Sequence, residues 1–125
     1  IYSTAIPFSL LASINSAIKI IPKLKNERKK LIKNSFLFRE MLKKESFNIG
    51  NSQTNIVPII IGDSRKTMLF SKKLEKDGFY VVPIRPPSVA PNSSRLRISI
   101  SSSHSKKIIK KLFHSLNYSK TKFKL

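Results

Sequence analysis

The chain has 125 residues, 40% of them apolar, which is enough for one domain with a buried core. It contains no cysteine, so disulfides and thiol chemistry are excluded and a cytoplasmic location is expected. Its apolar runs are too short to span a bilayer, and no signal-peptide pattern is present. Because it begins with Ile1 and not with methionine, we expect the chain to be incomplete.

The formal net charge of +19 is typical of proteins that bind nucleic acid or an acidic membrane surface. Lysine outnumbers arginine by 19 to 6, however, and contacts to phosphate and guanine favour arginine. The lysines accompany 17 isoleucines and 8 asparagines, which are all residues of AT-rich codons. We therefore interpret the charge as codon bias at solvated positions. A small basic nucleic-acid-binding protein is kept as the alternative from a different functional class.

Apolar residues at helical spacing predict two helices in the first third of the chain. The first covers residues 8–21 and is ended or kinked by Pro22. The second is expected from about residue 26 to 44, with Asn26 as its cap. Its opposite face is rich in lysine, and its predicted apolar stripe consists of Leu31, Phe38, Met41 and Leu42.

A buried strand is predicted next, over residues 56–61, and Pro58 favours an edge or irregular position for it. The turn that follows offers Asp63 or Ser64 as the N-cap of a third helix. Gly78 suits the end of that helix, because glycine readily adopts the backbone conformation found after a helix.

The last third of the chain is predicted to contain strands over residues 79–84 and 95–101 and a helix from 105 to about 117. Residues 119–125 are expected to form a frayed basic tail. This order of elements predicts an α/β fold, a short sheet packed with helices. The inward face of the last helix is predicted to contain Ile108, Ile109, Leu112, Phe113 and Leu116.

No metal site is predicted, and no pair of carboxylates is spaced for acid–base catalysis. His104 and His114 lie ten residues apart, on a loop and on a helix, and no cysteine supports them as ligands. His104 is expected to enter the last helix beside a serine cap, and His114 is expected at the surface. The six acidic residues are scattered along the chain.

The segment 84–101 carries the strongest indication of a binding site. Pro86 and Pro87 form a stiff turn that leads into an alternating strand, on which Arg95 and Arg97 share one face. With Arg85, these are half of the arginines in a chain that elsewhere uses lysine. A planar guanidinium on a rigid strand suits a small carboxylate, so the segment predicts an anion-binding corner.

The same segment resembles the C-terminal domain of the 8-amino-7-oxononanoate synthases, pyridoxal-phosphate-dependent α-oxoamine synthases. The matching residues are Ile84-Arg85-Pro86-Pro87-Ser88-Val89-Ala90-Pro91, Ser94-Arg95-Leu96-Arg97-Ile98 and Ser101-x-x-His104. The opening Tyr2-Ser3-Thr4-Ala5-x-Pro7 is similar to the segment that enters that domain. The Ile-Arg-Pro-Pro motif distinguishes this family from its glycine acetyltransferase and aminolevulinate relatives.

The resemblance implies the small C-terminal domain of a fold-type-I pyridoxal phosphate transferase. Residues 1–22 are expected to be the lead-in helix from a large domain, 23–118 the small domain and 119–125 the basic tail. The implied reaction joins L-alanine to a pimeloyl thioester with loss of carbon dioxide, in biotin synthesis. Another α-oxoamine synthase, similar to glycine C-acetyltransferase, is the alternative within the same class.

The resemblance also implies roles for individual residues. Arg97 would bind the α-carboxylate of the amino acid, and Ser88 stands where the family has a threonine that contacts substrate. Arg85 would shape either the acyl-carboxylate side or the turn. Ser3 and Thr4 match residues that reach the cofactor phosphate of a neighbouring subunit, which implies a homodimer.

Three of the family's functional residues precede the matched segment. They are the Schiff-base lysine, the histidine that stacks on the cofactor and the aspartate at the pyridine nitrogen. The chain alone is therefore expected to be inactive, with no catalytic residue of its own. A further departure is the run 90–93, Ala-Pro-Asn-Ser, which replaces a loop that usually carries glycine.

Overall fold

A computed structural model of the chain describes residues 5–123, in which helices pack against a three-stranded antiparallel sheet. This confirms the predicted α/β architecture. A single 3₁₀ turn, Ile21–Lys23, separates the first two helices of the described residues. In chain order the elements are α1 (Phe8–Ile20), α2 (Lys25–Lys44), β1 (Ile56–Gly62), α3 (Ser64–Lys76), β2 (Val82–Ile84), β3 (Ser94–Ser99) and α4 (Lys106–Phe123).

The last strand in sequence, β3, is the central strand of the sheet. It lies between β1 and β2 and runs antiparallel to both. β1 lies at an edge of the sheet, which confirms the prediction from Pro58. Proline has no backbone N–H to donate to a neighbouring strand, so it is disfavoured on an inner strand, which has a neighbour on each side. Arg97 is opposite Pro58 on one side and Val82 on the other, and Arg95 is opposite Ile60 and Ile84.

Alternation along β3 separates a packed face from an open face. Ser94, Leu96 and Ile98 are buried, whereas Arg97 and Ser99 are exposed. Leu96 and Ile98 belong to a core cluster that also takes residues from three of the helices and from β1. The principal helical and β1 members of this cluster are Phe38, Leu42, Val57, Ile59, Phe70, Leu74, Ile109, Leu112 and Leu116.

The start of α2 differs from the prediction, and the proposed cap at Asn26 is wrong. The helix begins at Lys25, directly after the 3₁₀ turn, with Leu24 in the cap position and no side-chain cap. Arg28 bridges this junction, since its guanidinium donates to the carbonyls of Ile21 and Pro22. The junction is therefore stabilised by an arginine one turn into the helix, and the asparagine is not needed as a cap.

The caps of the other two packed helices are side-chain oxygens. Asp63 accepts a hydrogen bond from the Lys66 N–H at 2.6 Å, which confirms it as the cap of α3. Ser105 accepts from the Ile108 N–H at 3.2 Å at the start of α4, so His104 does enter this helix beside a serine.

The two strands that were predicted over residues 79–84 and 95–101 are shorter than expected. In particular, β2 is limited to Val82–Ile84.

The last helix was predicted to end at about residue 117 and to be followed by a frayed tail from residue 119, and both predictions are wrong as far as Phe123. Helix α4 continues to that residue, and the Phe123 ring lies 5.5 Å from the Phe70 ring, between centroids. A second difference concerns Ile108, which was predicted to face inward and is 45% exposed. The neighbouring Ile109 and Leu112 supply the packed face of the helix instead.

Helix α1 has no buried residue. Its apolar side chains Leu11, Ile14 and Ile18 lie at helical spacing, yet they are between 43% and 64% exposed. Apolar rows of this kind normally pack against another element. In the described part of the chain, no helix is both long enough and apolar enough to cross a membrane.

Candidate functional site

Arg97 lies at the middle of the open sheet face with its side chain exposed. Its neighbours across the sheet are Pro58 and Val82, which offer no charge. Within residues 5–123, the two ion pairs join Lys43 to Glu40 and Lys73 to Asp77, and neither involves this arginine. The guanidinium is thus held on a rigid strand, with its donors available to an anion.

Arg95 shares the same face but has a different local role. Its Nε donates to the backbone carbonyl of Ser93 at 3.0 Å, and the residue is partly buried. This contact ties the side chain to the start of its own strand. Among the described hydrogen bonds, none restrains the Arg97 side chain in this way. The structure therefore gives different local roles to two arginines that share one face of β3.

The segment that joins β2 to β3, residues 85–93, is held at both ends. At its start the Ser88 N–H donates to the Arg85 carbonyl at 3.0 Å, which closes a turn around the cis Pro86–Pro87 peptide. At its end the Ser93 hydroxyl donates to the Ala90 carbonyl at 2.6 Å. The loop is therefore a defined structure at the end of the sheet that carries Arg95.

Asn92 supplies the left-handed backbone conformation in this loop, at φ 59°. Asparagine is one of the few residues other than glycine that adopt it readily. The loop also approaches Gly62 of β1 closely, because a Cβ on Gly62 would lie 3.3 Å from the Asn92 carbonyl oxygen. Asn92 therefore supplies a positive φ in a run, residues 90–93, that contains no glycine.

The remaining predicted site residues are distributed as follows. Arg85 and Ser88 are exposed on the loop. Ser3 and Thr4, the predicted contacts to cofactor phosphate, lie outside the described residues. No group of three or more His, Asp or Glu side chains in residues 5–123 is arranged to hold a metal ion.

A second feature near Arg97 was missed from the sequence. A cavity of about 470 Å³ lies between β3, the segment 78–82 and α4, and Arg97 and His104 are among its lining residues. Ile108 also lines it, which accounts for the exposure of a residue predicted to be in the core. The signal that could have indicated this was the pair of adjacent isoleucines at the start of α4, since one helix face can bury only one of them fully.

Comparison with known proteins assigns the family. Residues 1–116 match the family described as aminotransferase class I and II, and the chain belongs to this family. Within it, proteins of Bacillus cereus (strain AH820) and Bacillus anthracis that carry the name 8-amino-7-oxononanoate synthase are 43% identical over 104 residues. The alignment covers 83% of this chain and 26% of either relative. The sequence-based identification of the family is confirmed.

Solved structures share the fold. Serine palmitoyltransferase from S. paucimobilis, with PLP and myriocin bound, superposes with a TM-score of 0.90 at 21% identity, over 99% of this chain and 32% of that protein. The 8-amino-7-oxononanoate synthase of Francisella tularensis gives a TM-score of 0.84 at 19% identity, over 100% of this chain and 36% of that protein. The chain thus has the fold of part of a pyridoxal phosphate transferase, and it spans about a quarter of the length of the curated relatives.

Proposed function

We propose that the chain is the C-terminal part of a pyridoxal-phosphate-dependent acyltransferase, an 8-amino-7-oxononanoate synthase of the cytoplasm. The reaction joins L-alanine to a pimeloyl thioester with loss of carbon dioxide, a step in biotin synthesis. The observation that carries the proposal is the exposed Arg97 guanidinium on the central strand, in a chain 43% identical to proteins that carry this name.

Arg97 binds the α-carboxylate of alanine in this proposal. A guanidinium and a carboxylate form two parallel hydrogen bonds, which set the direction of the carboxylate as well as its distance. Because Arg97 lies on the central strand between two paired neighbours, its backbone position is well constrained. A group held in this way can orient the bond to the departing carbon dioxide.

The loop 85–93 supplies the second part of the proposed site. The Ser88 hydroxyl contacts substrate, and Arg85 shapes either the acyl-carboxylate side or the turn. The 3.0 Å hydrogen bond from the Ser88 N–H to the Arg85 carbonyl supports a joint position for the two residues. The turn at Ser88 and the close approach of Asn92 to Gly62 support a fixed position for this loop at the end of the sheet.

The cofactor is proposed to be held chiefly by residues outside the described part of the chain. Pyridoxal phosphate supplies an electron sink for the bond that breaks, and the lysine that binds it comes from polypeptide beyond these 125 residues. The Ser3 and Thr4 hydroxyls contact the phosphate in the neighbouring subunit of a homodimer. Within residues 5–123, the group that fits an anion best is Arg97, and we assign it to the substrate.

The proposed division of the chain follows from this assignment. Residues 1–22 lead in from a larger domain, and the small domain begins at residue 23 and includes the end of α4 as far as Phe123. The exposed apolar row of α1 supports the division, since it would be covered by polypeptide that is not part of this chain. The chain alone is then an incomplete transferase without activity.

The experiment that tests the proposal begins with the mass of the protein in its natural source. A mass well above 14.3 kDa, with release of carbon dioxide and product from L-alanine and pimeloyl thioester, is the expected result. The protein is assayed with added pyridoxal phosphate, and glycine with acetyl thioester is the matched alternative pair. A clear preference for the alternative pair would show a different α-oxoamine synthase, and no turnover of either pair would refute the proposal.

A further inference from the structure

The loop 85–93 enters the sheet where β3 is paired least regularly. On the β2 side the described ladder ends at Arg95, so Ser94 has no partner in that strand. On the β1 side Ser94 pairs with Gly62, directly after a register shift in β1. Arg97, by contrast, has a paired residue on each side. The ladder alone therefore fixes the entry of the loop less well than it fixes Arg97.

The hydrogen bonds inside the loop are local. The Ser88 N–H donates to the Arg85 carbonyl, and the Ser93 hydroxyl donates to the Ala90 carbonyl. The Arg95 Nε–H donates to the Ser93 carbonyl. Each of these bonds joins two residues of the loop, or joins the loop to the strand that follows it. They shape the loop without setting its position relative to the helices.

Among the hydrogen bonds of residues 5–123, one side-chain bond joins the end of this loop to a helix. The hydroxyl oxygens of Ser94, at the start of β3, and Ser64, the first residue of α3, lie 2.8 Å apart. Ser94 is fully buried, so water cannot replace Ser64 as its partner. Ser64 follows Asp63, the cap that fixes the start of α3. The hydroxyl pair therefore ties the end of the loop to a fixed point on α3.

We propose that Ser94 is a positioning residue for the proposed reaction, and that its bond to Ser64 sets where the loop 85–93 presents Ser88. The inference rests on the proposed function, in which the Ser88 hydroxyl contacts substrate. Ser94 shares the packed face of β3 with the buried Leu96, so it acts without touching substrate. Loss of the hydroxyl pair releases the end of the loop and displaces the Ser88 contact.

Positioning and a contribution to stability alone give different results on mutation. Ser94→Ala removes one partner of a buried hydrogen bond, and such a loss destabilises the fold in either case. Positioning has its effect on the reaction through Ser88, so the effects of Ser94→Ala and Ser88→Ala on kcat/KM are not additive. A purely structural role gives the same change in kcat/KM whether or not the Ser88 hydroxyl is present.

The test is a double-mutant cycle in the full-length enzyme, with kcat/KM for the joining of alanine to pimeloyl thioester as the readout. Ser94→Ala is expected to lower kcat/KM roughly 3–10-fold, as for loss of one neutral hydrogen bond. In the Ser88→Ala background, the same substitution is expected to lower it less than about twofold. Equal factors in the two backgrounds would overturn the inference, and so would a Ser88→Ala variant as active as the native enzyme.

Ser35→Ala is the matched control. Ser35 is 1% exposed, and its hydroxyl donates to the Leu31 carbonyl at 2.7 Å, so this variant also loses a buried hydrogen bond. Because that bond stays within α2, kcat/KM is expected to change less than about twofold in both backgrounds. Ser64→Ala removes the other partner of the hydroxyl pair and is expected to reproduce the effect of Ser94→Ala. An unchanged kcat/KM in Ser64→Ala would overturn the route through Ser64.

Hydrogen exchange separates this inference from the proposed function, because it needs no turnover. Exchange of the amides in residues 85–93, measured by mass spectrometry, is expected to be at least about threefold faster in Ser94→Ala and unchanged in Ser35→Ala. If the native enzyme does not join alanine to pimeloyl thioester, the proposed function fails, and faster exchange in Ser94→Ala would still support positioning of the loop by Ser94. If turnover occurs but Ser94→Ala matches Ser35→Ala in both kcat/KM and exchange, the proposed function stands and the inference is overturned.

Discussion

The Asn34 side-chain amide donates to the backbone carbonyl of His104 at 3.2 Å, across 70 residues of sequence. Asn34 is 2% exposed, although it lies on the helix face that was predicted to be apolar. The bond joins α2 to the turn between β3 and α4, the turn that also holds the imidazole of His104 through Ser101. A buried amide therefore sets the position of a residue that lines the cavity next to Arg97.

Removal of this amide is expected to be costly. Asn34→Ala removes this hydrogen bond at a buried position, and loss of one partner of such a bond costs about 1–3 kcal/mol. The free energy of unfolding, measured by urea titration, is expected to fall by that amount. Asn26→Ala on the same helix is the control, since Asn26 is exposed and caps nothing, and it is expected to change the value by less than about 0.5 kcal/mol. Equal losses in the two variants would contradict the role given to Asn34.

The contact between Gly62 and Asn92 gives a second prediction. Gly62 and Gly78 both have φ of 88°, so alanine at either position is strained by about 1–2 kcal/mol. At Gly62 the new Cβ also lies 3.3 Å from the Asn92 carbonyl, whereas at Gly78 nothing lies within 4 Å. Gly62→Ala is therefore expected to unfold at a lower urea concentration than Gly78→Ala. Identical midpoints would show that the loop 85–93 does not rest against β1.

Protonation of the Asp77 carboxyl is expected to lower the stability of the folded protein in acid. Hydrogen bonds from Lys73 and Ser115, together with the charge of Lys73, lower the pKa of this carboxyl below its ordinary value of 3.8. A carboxyl with a lowered pKa stabilises the folded state above that ordinary value, and the contribution is lost as the pH falls through the folded-state pKa. The Ser115 hydroxyl, 2.5 Å from Oδ2, connects this effect to the packing of α3 against α4.

Asp77→Asn is accordingly expected to be less stable than the native protein near neutral pH, with a difference that shrinks as the pH falls below about 3.8. Thermal unfolding at a series of pH values measures this. Glu40→Gln is the matched control, since its pair with Lys43 is more exposed and such pairs contribute little. A difference between Asp77→Asn and the native protein that stays constant with pH would exclude linkage to this carboxyl.

The two arginines of β3 are expected to respond differently to mutation. In the full-length enzyme, Arg97→Ala is expected to raise KM for alanine about 10–100-fold, because charge-assisted hydrogen bonds are lost, while cofactor loading is unchanged. Arg97→Lys is expected to recover little of this, since an ammonium cannot form the paired hydrogen bonds. Arg95→Ala is expected to lower stability, because it removes the bond to the Ser93 carbonyl, and to leave KM for alanine nearly unchanged. An alanine KM unaffected by Arg97→Ala would reject the role proposed for Arg97.

Local patterns predicted most of the fold, because the spacing of apolar residues and the capping residues can be recognised within each element. The Asp63 cap was predictable, since an aspartate before a periodic segment can satisfy an N–H three residues on, and this bond is 2.6 Å long. The edge position of Pro58 followed in the same way from its missing donor. The distinction between Arg95 and Arg97 could not be predicted. It depends on which backbone carbonyl the loop 85–93 brings close, and alternation along the strand treats the two residues alike.

The ends of elements were less predictable, because long-range contacts determine them. The strand expected over residues 79–84 keeps only Val82–Ile84, because the ladder with β3 ends at the pair Val82 and Arg97. Asn26 was predicted to cap α2, but the helix begins before it. Arg28 stabilises the junction at this helix start instead. The cavity lined by Ile108 and His104 lies where β2 ends early, and its indication in the sequence is limited to the adjacent isoleucines at the start of α4.

The end of α4 provides the last prediction, since the sequence and the structure disagree there. Residues 119–123 are basic and were expected to fray, but the Phe123 ring packs on the buried Phe70 ring at 5.5 Å. Phe123→Ala is expected to lower the free energy of unfolding by about 1–3 kcal/mol, less than for a fully buried phenylalanine because Phe123 is partly exposed. Lys122→Ala, at an exposed position one residue earlier, is expected to have an effect below about 0.5 kcal/mol. Urea unfolding of both variants decides the matter: a loss confined to Phe123→Ala shows that the helix end is part of the core, and no loss in either shows a frayed tail.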